Sequence, residues 1–221
     1  MHTPPTPSSI QSASGTLAAR GLACRRGRRL LFRGLDLRLP AGSITWLRGT
    51  NGSGKTSLLR ILAGLSAPAE GEVRWDDPPP GGAALHQRIV YIGHGNALKD
   101  DLSLAEAVTF LGQLQQLPDA ARRASAALDR LGLASRRDAP VRTLSQGQRR
   151  RGALARLALD DAPCTWLLDE PYDALDQHSV ALLSGLIVAH AARGGAALLT
   201  SHQPLDLPGA CSFDLEPWRA P

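Results

Sequence analysis

Gly49-Thr50-Asn51-Gly52-Ser53-Gly54-Lys55-Thr56 fits the phosphate-binding pattern G-x-x-x-x-G-K-[ST] at every fixed position. An apolar, strand-like run, Ser43-Ile44-Thr45-Trp46-Leu47, precedes it, and a helix-like run, Ser57-Leu58-Leu59-Arg60-Ile61-Leu62, follows. That strand–loop–helix order separates a phosphate cradle from a chance Gly/Ser turn. The glycines let backbone N–H groups converge on phosphate oxygens, and the helix behind adds its positive N-terminal end. Lys55 is placed to reach the β- and γ-phosphates, and Thr56 to offer a hydroxyl to Mg²⁺. Gly49 to Ser57 therefore reads as the site of a nucleoside triphosphate.

Composition supports this reading. Of 25 basic residues only Lys55 and Lys99 are lysines. A chain so biased toward arginine still keeps a compact ammonium in the cradle, where a planar guanidinium would not fit.

A length of 221 residues allows one full α/β domain with a small appended lobe. The longest apolar stretches fall short of the roughly 20 residues that cross a bilayer, so spanning helices must come from another chain if the protein works at a membrane. The net charge of +5 is concentrated in Arg25, Arg26, Arg28, Arg29 and in Arg149, Arg150, Arg151. Such clusters attract nucleic acid or anionic lipid, or are simply solvated. No aromatic side chains interleave with them to stack bases, so no nucleic-acid partner is expected. Cys24, Cys164 and Cys211 match neither metal nor disulfide spacing, which fits a reducing cytosol. There is no C-x-x-C-H sequence, so covalent haem attachment is not indicated and no direct haem binding is expected.

Residues 1–16, rich in Pro, Ser and Thr, read as a disordered tail. Short strands are predicted at Leu17-Ala18-Ala19, Leu30-Leu31-Phe32 and Leu35 to Leu39, then at Gly71 to Trp75 and Arg88 to Gly93. Asp76 to Gly82 is a surface loop. Residues 99–142 form a helical lobe inserted into the core. Within it Ser103-Leu104-Ala105-Glu106 is a capping box, opening a helix with Leu104, Val108, Leu111 and Leu114 along one face. Asp119 opens a second helix that Gly132 ends. A strand at Thr165 to Leu168, a helix near Ser179 to Ala192 and a final strand at Ala196 to Thr200 complete a mainly parallel sheet. The domain spans 17–206, and 207–221 reads as a C-terminal tail.

Leu168-Asp169-Glu170 ends an apolar strand with adjacent carboxylates. Asp169 stands where a P-loop NTPase holds Mg²⁺, and Glu170 is placed to take a proton from the attacking water. Alone the pair would be a solvated strand end; with a phosphate loop upstream the balance reverses. Leu144-Ser145-Gln146-Gly147-Gln148 is another capping box, and a capped N-terminus is an anion site.

Leu144 to Gln148 resembles the LSGGQ signature of ABC-transporter ATPases, with Gln146 in place of the first glycine. The resemblance implies a RecA-like P-loop core, an antiparallel β subdomain and the inserted helical subdomain. It also implies ATP and Mg²⁺ as cofactors. In that family the signature of one subunit caps the γ-phosphate held by a second copy. Ser145, Gln146, Gly147 and Gln148 would serve so here. Asp169 and Glu170 then match the Walker B aspartate and catalytic glutamate, Ala174-Leu175-Asp176 the D-loop, and His202 the switch histidine. His94 occupies the Q-loop position in place of glutamine, where a neutral imidazole would make the contact sensitive to protonation. Arginines surround Arg26, where the family usually has an aromatic residue to stack on adenine; a guanidinium can also stack.

Within the family three runs are similar to the CcmA type of c-type cytochrome biogenesis: Tyr91 to His94, Gly147 to Leu157, and Thr200 to Leu205. That similarity implies a CcmB-like integral membrane partner. It also implies a peripheral position on the cytoplasmic face of the bacterial inner membrane, and a role in haem export or haem-chaperone release. An ABC subunit for another substrate stays open, because specificity would lie in the membrane partner. A soluble ABC ATPase lacks support, since there is no second nucleotide domain or long coiled-coil insertion. A P-loop kinase would leave Leu144 to Gln148 and His202 without purpose.

Overall fold

The computed structural model describes residues 15–76, 89–202 and 206–220. The elements are β1 (Leu17–Arg26), β2 (Arg29–Leu39), β3 (Ile44–Arg48), α1 (Lys55–Leu62), β4 (Glu70–Trp75) and β5 (Ile89–Ile92). They continue with α2 (Leu104–Leu114), α3 (Ala120–Arg130), α4 (Gln146–Leu154), β6 (Thr165–Leu168), α5 (Gln177–Ala192), β7 (Ala196–Thr200) and β8 (Ala210–Asp214).

Five strands form a parallel sheet in the order β5-β6-β7-β3-β8, and a separate antiparallel sheet has the order β2-β1-β4. Side chains alternate across the parallel strands, so each strand feeds two cores. Leu167, Ala196 and Leu198 pack with α1 and the antiparallel sheet; Trp166, Leu168, Ala197 and Leu199 pack with the helices on the opposite face. Strands buried on both faces explain why Thr-Trp-Leu-Leu and Ala-Ala-Leu-Leu-Thr read as continuous apolar runs.

Several sequence expectations need correction. The three short strands expected between Leu17 and Leu39 are two long ones, β1 and β2, joined at Gly27-Arg28 and paired through a ladder whose register shifts at bulges between Ala19 and Arg25. Leu114 does not lie on the buried face of α2: it is 65 % exposed, while Leu104 and Val108 are buried and Leu111 packs partly against the core. The last turn of α2 meets α3 through Gly112, which abuts Ala120, while Leu114 stays exposed. Ser103 and Glu106 do form the expected capping box, and Gly132 ends the turn after α3 with positive φ. Asp119 precedes α3 in a left-handed conformation and makes no side-chain cap.

The stretch 207–221 is not a tail over its described part. β8 adds the edge strand beside β3, Leu215 is buried, and a short 3₁₀ turn follows at Glu216–Trp218. Ala196 to Thr200 is therefore not the last strand. The expected N-terminal tail lies outside the described residues up to 14, but Thr16 already accepts a hydrogen bond from the Asp76 N–H. Asp76 is described, and its side chain pairs with Arg20, Arg38 and Arg74; the rest of the expected loop, and Arg88, lie outside the described residues.

Leu215 sits in the core shared with α1, so Leu215→Ala is expected to cost about 2–5 kcal/mol. Urea unfolding checks this: an unchanged midpoint would return 207–221 to the status of a tail.

Candidate functional site

The loop between β3 and α1 is shaped by its glycines. Gly54 has φ +110, and a Cβ there would stand 3.0 Å from the Phe32 ring, which is buried. Only glycine lets the chain turn into α1 against that wall. Lys55 Nζ folds back and donates to the Gly49 and Thr50 carbonyls, at 2.7 and 3.2 Å. Ser53 is buried with its Oγ unpartnered among the described residues. A cradle with an ammonium and an orphaned hydroxyl fits a phosphate chain.

The loop has an outside brace that no motif announces. The Thr50 N–H and hydroxyl both donate to Glu216 Oε1, at 2.7 and 2.6 Å, and Arg219 Nη1 reaches Thr50 Oγ1 at 3.3 Å. These bonds to Thr50 hold the Glu216 carboxyl below its ordinary range. β8 pairs with β3, so the turn after one strand meets the loop after the other.

Asp169 and Glu170 follow β6, and His202 follows β7. Thr200, fully buried at the end of β7, joins the two strands: its hydroxyl accepts the Glu170 N–H at 2.8 Å and donates to Asp169 Oδ1 at 3.0 Å. Glu170 is held at φ +49, a left-handed conformation uncommon for a non-glycine residue. Its carboxylate accepts the His202 N–H at 3.0 Å, and His202 Nε2 lies 3.5 Å from Oε1. Burial pushes the Glu170 pKa up, against the lowering effect of His202.

Arg149, Arg150 and Arg151, read from sequence as a solvated or anion-attracting cluster, do not act as one group, and Arg150 is buried. Successive helical residues point about 100° apart, so the three reach three different elements. Arg149 donates to the Leu144 and Arg142 carbonyls, and Arg151 to the Leu131 and Gly132 carbonyls beyond α3. Arg150 is only 3 % exposed and donates to the carbonyls of Gly93, Asp169 and Glu170, at 2.9, 3.1 and 2.7 Å. It ties α4 to the ends of β5 and β6. Three basic residues in a row on one helix cannot share a face, which was the available signal.

A cavity of about 540 Å³ gathers Asn51, Gly52, Gly54, Lys55, Thr56 and Ser57 with Asp169, Glu170, His202 and His94. His94 is exposed, its Nδ1 3.8 Å from Asp173. Ser145, Gln146, Gly147 and Gln148 do not line this cavity. Ser145 caps α4 in a reciprocal box with Gln148, as expected from sequence. Asp176 caps α5 through the Ser179 N–H, outside the cavity as well. No group of three or more His, Cys, Asp or Glu among the described residues could hold a metal alone. One carboxylate with a hydroxyl suits Mg²⁺, which takes its remaining ligands from phosphate and water.

A parallel sheet with a phosphate loop, an acidic strand end and a capped helix N-terminus defines a P-loop ATPase. The profile described as "ABC transporter" matches residues 32–173, and the chain belongs to that family. It is 49 % identical over 197 residues to the "Cytochrome c biogenesis ATP-binding export protein CcmA" of Methylococcus capsulatus, covering 88 % of this chain and 95 % of that protein. The protein of that name from Saccharophagus degradans is 42 % identical, with 90 % and 93 % covered. The chain is thus an ABC ATPase of the CcmA type. A solved ATP-binding subunit of an ABC transporter shares the fold, at TM-score 0.74 and 22 % identity, covering 84 % of this chain and 79 % of that one.

Arg150→Met leaves three carbonyls without their donor and is expected to destabilise the protein by about 1–3 kcal/mol. Arg150→Lys should recover part of that loss. Chemical unfolding of both variants checks it; a neutral Arg150→Met would mean the contacts carry no stability.

Proposed function

We propose that this chain hydrolyses ATP as one of two identical subunits and drives an integral membrane partner of the CcmB type in c-type cytochrome biogenesis. The observation that carries the reading is the Glu170 carboxylate, bonded to His202 and facing the same cavity as the phosphate loop. The names of the relatives support the biological setting. No helix among the described residues is long and apolar enough to cross a membrane, which agrees with a peripheral subunit on the cytoplasmic face of the inner membrane.

Gly49 to Ser57 bind the triphosphate, with Lys55 on the β- and γ-phosphates. Mg²⁺, when bound, would be held by Thr56 and Asp169 and would neutralise phosphate charge. Glu170 takes a proton from water as the water oxygen bonds to the γ-phosphorus. The bond to the β–γ bridging oxygen then breaks and ADP leaves. His202 and Lys55 stabilise the charge on the γ-phosphoryl oxygens.

Ser145 to Gln148 stand away from their own cavity, so a second copy must bring its own capped helix over the γ-phosphate. Asp176, at the opening of α5, belongs to the same facing surface. Triphosphate bridging the two copies favours closure, and hydrolysis reopens them. The helical lobe leaves Phe110 and Leu114 exposed, with Lys99 over the Phe110 ring at 5.6 Å. That apolar patch and the exposed His94 are the surfaces offered to the membrane subunit. Haem export and release of a haem chaperone are both compatible with this arrangement.

Glu170→Gln is expected to bind ATP, lose about 10²–10⁴-fold in turnover, and accumulate as a dimer with ATP in gel filtration. Normal turnover in that variant would remove Glu170 from the role of base.

The raised Glu170 pKa gives two further expectations. Turnover needs the carboxylate, so activity should fall with decreasing pH at values above the ordinary carboxylate range. A pKa raised by folding favours the folded state below the unfolded pKa, and that gain is lost as pH rises through the folded value. At neutral pH the ionised group costs the fold stability, so nucleotide-free Glu170→Gln should melt no lower than the wild type. A lowered melting temperature would count against burial as the dominant influence.

A further inference from the structure

The segment 215–220, which follows β8, is tied down on both sides of Glu216. The Leu215 N–H donates to the Arg48 carbonyl and the Ala220 N–H to the Leu31 carbonyl, at 3.0 and 3.1 Å. Leu215 is buried in the core beside α1, and Trp218 packs partly against it. Glu216 Oε1 takes the N–H and the hydroxyl of Thr50, while Oε2 lies 3.4 Å from Arg219 Nη1. The Thr50 N–H and the Gly49 carbonyl belong to one peptide unit. Lys55 Nζ donates to that carbonyl at 2.7 Å, and Glu216 accepts that N–H at 2.7 Å. The C=O and N–H of a trans peptide point to opposite sides, so a cation and an anion grip this peptide from either side. Lys55 lines the cavity that holds Asp169 and Glu170; Glu216 does not.

We infer that Glu216 is a positioning residue for Lys55: through the peptide joining Gly49 to Thr50 it holds the ammonium ready for the phosphate chain. The inference rests on the triphosphate reading above. Hydrogen bonds in line polarise one another, so a carboxylate on the N–H makes the carbonyl of the same peptide a stronger acceptor. An ammonium has three donors. The Gly49 and Thr50 carbonyls take two of them, which leaves the third for phosphate. Ordering a lysine side chain costs rotamer freedom, and here much of it is lost before any ligand arrives. Glu216 stands outside the cavity, so its effect reaches the ligand only through the loop. It therefore tightens any phosphate chain alike and is indifferent to the base.

Lys55 and Lys99 are the only lysines of the chain, so acetic anhydride labelling read by mass spectrometry measures Lys55 against an internal standard. The nucleotide-free full chain is compared with Glu216→Ala and Glu216→Gln at a temperature where melting curves show all three folded. Releasing Lys55 from its carbonyls frees the amine, so Glu216→Ala should label Lys55 about threefold or more faster relative to Lys99. Glu216→Ala should also bind ATP and inorganic tripolyphosphate, each with Mg²⁺, about tenfold more weakly, and by the same factor for both. Glu216→Gln keeps the size and an acceptor oxygen but not the charge, and should fall between. The inference is overturned if the labelling ratio of Glu216→Ala equals that of wild type. It is overturned equally if affinity for both ligands is unchanged, or if ATP alone is weakened. A wild type in which neither ligand binds or slows Lys55 labelling would overturn the triphosphate reading, and the inference with it, even where Glu216→Ala shifts the ratio.

Discussion

Parallel pairing forces the ends of β3, β5, β6, β7 and β8 onto one edge of one sheet, and every group at the site hangs from that edge. The phosphate loop follows β3, Asp169 and Glu170 follow β6, and His202 follows β7. β5 leads into His94, and β8 delivers Glu216 to the back of the loop. Ligands of open parallel sheets bind at the carboxyl ends of strands for this reason. The sheet must be buried on both faces to stay rigid, which two cores supply.

Rigidity at the edge comes from polar groups satisfied inside the core. Thr200 binds the Glu170 N–H and the Asp169 carboxylate with one hydroxyl, so β6 and β7 cannot slide without breaking both. At the other end of the same strands Trp166 stacks on His190, with ring centroids 3.7 Å apart. His190 also bonds the Cys164 carbonyl, and burial lowers its pKa to about 4, keeping it neutral in the core. A Cβ at Gly195 would collide with this ring, so the turn into β7 requires glycine. Neither histidine nor glycine carries chemistry; both set where the strands begin.

The edge that carries the candidate site was legible in sequence because phosphate-loop and helix-capping patterns are short and local. Gly49 to Thr56, the box at Ser145 and Gln148, and the run Thr165 to Leu168 each declare themselves within a few residues. The braces were not legible, because they join residues far apart in the chain. Nothing near Glu216 names Thr50 as its partner, and nothing at Thr200 names Asp169. β8 was missed for a related reason. Ala210 to Asp214 is a short edge strand, with Cys211 and Ser212 exposed, and lacks the apolar density of the strands inside the sheet. Leu114 failed in the opposite direction: helical periodicity says which way a side chain points, not whether a neighbour is there to meet it.

Helix α4 shows how two separated features act as one device. Its first turn carries the Ser145 cap, which does not line the cavity of its own chain. Five residues on, about 7.5 Å along the axis, Arg150 grips the carbonyls of Gly93, Asp169 and Glu170. Gly147 lies between them, so close to the Ala174 carbonyl that a Cβ would stand 2.8 Å from it. The helix is therefore locked to the strand ends and to the loop before Asp176 at once. The first turn of α4 and the backbone that carries Glu170 are thereby fixed to one helix, so neither can move without the other.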